Sequence, residues 1–123
     1  MIRYRTFLHM AAPIRARDVT KAADMAAVVT LAASSEKHIY LHRIQWSYDG
    51  TPTGGKITVQ DGAGGTTLWE QAITAAGPGG QDPDELGSVN TAMVITLAAG
   101  GAGVTGRLAS VRAEYVAEQS GWV

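Results

Sequence analysis

The sequence predicts an all-β domain: an antiparallel β-sandwich or jelly roll with an extended N-terminal arm. Three observations carry this. Apolar and polar residues alternate over short runs, the period of a strand with one buried face. Glycine, proline, asparagine or aspartate closes each run, and 15 of the 123 residues are glycine. No long stretch keeps the roughly 3.6-residue apolar period of an amphipathic helix. Short strands at even spacing build two-layer β folds.

Residues 1–24 read as the arm and 25–123 as the sandwich. The arm alternates poorly and contains Pro13. The regular structure it offers is a short strand over 2–8 and a turn or two of helix within 15–27. MIRYRTFL is more apolar than a solvated tail requires, so the arm is expected to dock on another surface.

In the body, MAAVVTLAA (25–33) is β-branched at its centre and stops at two serines. KHIYLHRIQWSYD (37–49) is long and free of glycine and proline. Strict alternation puts His38, Tyr40, His42, Ile44, Trp46 and Tyr48 on one of its faces. KITVQD (56–61) turns Ile57 and Val59 inward, and TTLWEQAIT (66–74) answers it across the GAGG connection. AAGPGGQDPDELGS (75–88) reads as a loop with a short strand near Glu85 and Leu86; its prolines and glycines argue against a regular element elsewhere in it. NTAMVITLAA (90–99) lines up Met93, Ile95 and Leu97. VTGRLASVRAEYVA (104–117) returns, with Val111, Ala113 and Tyr115 opposite Arg112 and Glu114.

The length suits one domain. With no cysteine, the chain has no disulfide, thiolate metal site or cysteine nucleophile. The opening residues lack the apolar core of a secretory leader. No apolar run approaches the ~20 residues of a membrane helix, so no membrane partner is expected. Charge is lopsided: Arg3, Arg5, Arg15, Arg17 and Lys21 face only Asp18 in the first 21 residues, whereas the remainder is acidic. A basic arm on an acidic body fits an acidic protein surface, including a neighbouring copy. It lacks the aromatic-basic pattern in the body that would make nucleic acid the expected partner.

His38 and His42 fall on one predicted strand face, but the sequence shows no H-x-H pair and no nearby histidine-plus-carboxylate cluster, and the third histidine, His9, sits in the arm, so no metal is expected. GAGG lacks the Lys-Ser/Thr and the following helix of a phosphate loop. Asp82, Asp84 and Glu85 lack calcium-loop spacing. No serine sits in a nucleophile elbow. No catalytic residue and no cofactor is expected. Trp46, Tyr48, Trp69 and Trp122 are the candidate interface aromatics, Trp122 being the one expected outside the core.

The run IQWSYDGTPTGGKITVQDGAGGTTLWEQAITAAGPGG, followed by NTAMVITLAAGGAGVTGRLASVRAEYV, resembles small structural proteins of tailed bacteriophages. These are head decoration (cement) proteins or related virion components. The resemblance spans about residues 36–117 and leaves the arm outside. It implies a chain made in the host cytoplasm that binds the major capsid protein on the capsid exterior and stabilises the assembled head. It also implies a homo-oligomer, with a trimer suiting a threefold position and a dimer as the alternative. The arm residues expected to bind are Arg3, Tyr4, Arg5, Phe7, Arg15 and Arg17. The competing readings are a carbohydrate- or receptor-binding module of a phage tail, using the exposed aromatics, and a cupin-like enzyme using His38 and His42.

Overall fold

The computed structural model describes residues 23–116 in full and residues 10–20 as backbone. Nine strands follow in chain order: β1 (Met10–Thr20), β2 (Ala27–Leu31), β3 (Lys37–Tyr48), β4 (Lys56–Asp61), β5 (Thr66–Ala72), β6 (Gly77–Gln81), β7 (Glu85–Leu86), β8 (Met93–Leu97) and β9 (Gly106–Val116). They form two antiparallel sheets, so the predicted sandwich is what the chain adopts. The first sheet runs β1-β9-β3-β6, with β7 also pairing to β3; the second runs β2-β8-β4-β5. The pairs β1·β9, β2·β8, β3·β6 and β4·β5 nest inside one another. Rolling up one long antiparallel hairpin produces this nesting, the winding of a jelly roll.

Alternation explains the core. β2 buries Ala27, Val29 and Leu31; β4 buries Ile57 and Val59; β8 buries Met93, Ile95 and Leu97. They meet Ile39, Leu41, Ile44, Trp46 and Tyr48 of β3 and Leu108 of β9 in one cluster. The Tyr48 hydroxyl donates to the Ala98 carbonyl at 2.5 Å, tying the end of β3 to the end of the second sheet.

Four local expectations change. Residues 15–20 are strand, not helix, paired with β9 from Arg112 to Arg107. Part of the segment read as an arm therefore lies against its own body. The strand expected over 2–8 falls outside the described residues.

Second, GPGGQ forms β6 and pairs with β3 from Gln81–Ile44 to Gly77–Tyr48. An edge strand tolerates Pro78, whose missing N–H costs no ladder bond on the open side. Gly79 lies opposite Trp46, and a Cβ there would come within 2.5 Å of Trp46 Cε2. The indole lies across the glycine and supplies the packing the strand's own residues lack.

Third, β3 does not keep one face. Leu41 pairs with Arg112 but Arg43 pairs with Val111, so His42 is the extra residue of a β-bulge. Parity flips there. Ile39 and Leu41 point inward before the bulge, and Ile44, Trp46 and Tyr48 after it. Fourth, Arg112 and Glu114 take the inner face of β9, directly opposite the core residues Leu41 and Ile39. Arg112 Nη1 lies 3.0 Å from Glu114 Oε2, and Ser34 Oγ donates to Glu114 Oε1 at 3.1 Å.

Candidate functional site

The bulge leaves a polar and aromatic outer face on the first sheet. His38 and Tyr40 precede it, Arg43 and Gln45 follow it, and none belongs to the core. Tyr40 sits between Leu86 of β7 and Ala113 of β9, and His38 sits opposite Tyr115. The Tyr40 ring meets Tyr115 edge-on, with centroids 5.8 Å apart and planes at 70°. The His42 ring lies 6.2 Å away on the other side. Leu86 remains 51% exposed, an apolar side chain opposite Tyr40 on the sheet.

The loop between β6 and β7 brings carboxylates to this face. Tyr40 Oη donates to Asp84 Oδ1 at 2.5 Å. Arg43 grips Asp82 with two parallel bonds, Nε to Oδ1 at 2.7 Å and Nη2 to Oδ2 at 3.2 Å. His42 Nδ1 lies 4.0 Å from Asp84 Oδ1. His38 Nδ1–H donates to the Gly87 carbonyl at 2.8 Å, which fixes the loop after β7. A shallow open depression lies beside the cluster, lined by Arg43, Gln45, Gly80, Gln81 and Asp82.

The hydrogen bond to Asp84, followed by burial and neighbouring charge, pushes Tyr40 up to about 12. Arg43 holds Asp82 below the usual carboxylate range, and Asp82 raises Arg43 in return. Tyr40, Arg43 and Asp82 each keep one protonation state near neutral pH. No group of three or more metal-ligating side chains is present among the described residues.

The sequence-predicted residues are scattered. Arg3, Tyr4, Arg5, Phe7 and Trp122 lie outside the described residues. Arg15 and Arg17 stand in β1 at register positions opposite Arg112 and Ser110. Trp46 and Tyr48 are 7% and 1% exposed and lie in the core, turned inward by the bulge at His42. Trp69 is half-buried on β5 against the edge of the core. His38 and His42 do not converge, since one binds a carbonyl and the other faces Asp84. Sequence reasoning missed Tyr115, Leu86 and the Tyr40–Asp84 and Arg43–Asp82 pairs. The bulge itself was signalled: the apolar positions switch from odd (Ile39, Leu41) to even (Ile44, Trp46, Tyr48) across the two polar residues His42 and Arg43.

No protein-family model matches the chain, and no curated protein sequence matches it. Among solved structures, the Bacillus endospore appendages, described as disulfide-linked pili, are 19% identical. That match covers 85% of this chain and 89% of the other, with a TM-score of 0.38. The virus-like particle of extra small virus from the giant freshwater prawn Macrobrachium rosenbergii is 11% identical. It covers 87% of this chain and 80% of the other, with a TM-score of 0.29. Both scores are too low to place this chain in either fold.

Proposed function

We propose that the chain is a non-enzymatic structural protein of a tailed-phage virion, a decoration protein that binds the major capsid protein on the head exterior and associates with its own copies. The observation that carries this reading is the outer face of the first sheet. It presents tyrosines and an arginine, side-chain types enriched at protein interfaces, beside an exposed leucine. Their charged groups are set for holding a partner. Many such contacts on a symmetric lattice sum by avidity, so each is free to be weak.

Co-sedimentation with purified heads lacking the protein tests this. The full chain should saturate the heads, and Tyr40→Ala with Leu86→Ala should reduce occupancy while the fold persists. Equal occupancy by both would remove the face from the proposal. The tail-module reading draws on the same face, because Tyr40 and Tyr115 stand beside carboxylates and a guanidinium that would hydrogen-bond a sugar. Glycan-array binding that is lost with Tyr40→Ala, with no head binding, would favour it instead.

A further inference from the structure

We propose that the aromatic–acidic face of the first sheet receives the basic N-terminal segment, residues 2–8, of a second copy of this chain. The inference rests on the assembly reading above, in its homo-oligomer part, but it needs no capsid.

Three observations lead here. The first is chemistry. Asp84 is 58% exposed at its side chain; among the described residues it accepts from Tyr40, and His42 Nδ1 lies 4.0 Å from it. Asp82, by contrast, is already gripped by Arg43. The face thus offers an exposed carboxylate beside Tyr40, Tyr115 and Leu86. The segment IRYRTFL carries Arg3 and Arg5 interleaved with Ile2, Tyr4, Phe7 and Leu8, the complementary set.

The second is position. β1 begins at Met10, in register with Tyr115, which in turn is in register with His38. The segment therefore joins the sheet at the end where the aromatic face lies, roughly 10 Å from β3 across two strand spacings. Nine extended residues reach at most ~30 Å, enough to span a subunit boundary.

The third is direction. β1 runs antiparallel to β9 from the Tyr115 end toward Arg107. A chain entering β1 along its own axis comes from beyond the sheet end, whereas Tyr40 and Asp84 lie back over the sheet. Docking on its own face would require a reversal that docking on a second copy does not. Exchange of such segments around a rotation axis closes a ring in which every face is filled.

Sedimentation of the full chain at low and high salt tests this. The wild type should form an oligomer that weakens as salt rises. R3E/R5E should weaken association by about a hundredfold, from like-charge contact at the face, and Asp84→Lys should do the same. Mixing the R3E/R5E and Asp84→Lys chains should restore a mixed oligomer that neither forms alone. Lys56→Gln, which removes an exposed charge on β4 of the second sheet, away from the proposed face, should still associate and serves as the control. A wild type that stays monomeric at its highest soluble concentration would overturn the proposal. So would association indifferent to R3E/R5E, or a mixture that does not associate. Loss of head binding with self-association intact would count against the decoration reading alone.

Discussion

Tyr40 holds its proton because Asp84 accepts it at 2.5 Å, and the phenolate would face that carboxylate. Its pKa stands at about 12 against an ordinary 10.0. The folded value is raised, so the stabilisation is fully present below pH 10 and is lost as pH rises from 10 through 12. Asp84→Asn should bring this tyrosine's titration back toward 10, read by ultraviolet difference spectra with NMR assignment. Gly79 is a second residue with a sharp requirement, because an added Cβ meets the Trp46 ring at 2.5 Å. Gly79→Ala should cost ~1–3 kcal/mol in urea unfolding. Its neighbour Gly80, where the nearest atom would be 3.5 Å away, should tolerate alanine within about 0.5 kcal/mol. The buried pair is a third case. Arg112 Nη1 is close to Glu114, but among the described residues it and Nε make no hydrogen bond, and neither does Ser110 Oγ. Glu114→Ala should therefore destabilise by about 3–5 kcal/mol by leaving a buried cation. Replacing both residues with Met and Leu should cost far less or stabilise.

At the scale of elements, β3 depends on one extra residue. Deleting His42 removes the bulge, and one continuous parity cannot bury both Ile39–Leu41 and Ile44–Trp46–Tyr48. Exposing either set forfeits ~1.5–3 kcal/mol per side chain, comparable to the whole stability of a small domain. The deletion should not fold, whereas His42→Asn should melt cooperatively near the wild type, both read by circular dichroism. Strands such as β4, whose expected and observed bounds coincide at Lys56–Asp61, were legible because their own residues alternate against a single core. β6 was not, since its strand character is conferred by Trp46 from another segment. The inward turn of Arg112 and Glu114 ran against the rule that charges face water, and the register of β9 overrode it. The site was hidden for a similar reason. Tyr40 and Asp84 are 44 residues apart, Arg43 and Asp82 are 39 apart, and only the fold joins them.

At the scale of the whole molecule, a rolled hairpin leaves broad sheet faces open, and one carries aromatic and charged residues beside the point where a basic segment joins. If the proposed function holds, assembly should follow ionic strength and arm sequence rather than any bound small molecule. The most direct measurement is a peptide-level mass-spectrometric count of this chain in purified virions. The chain should be present in a fixed, high ratio to the major capsid protein, set by the symmetry of the head. Its absence from purified particles, or a trace amount unrelated to capsid copy number, would contradict the structural role.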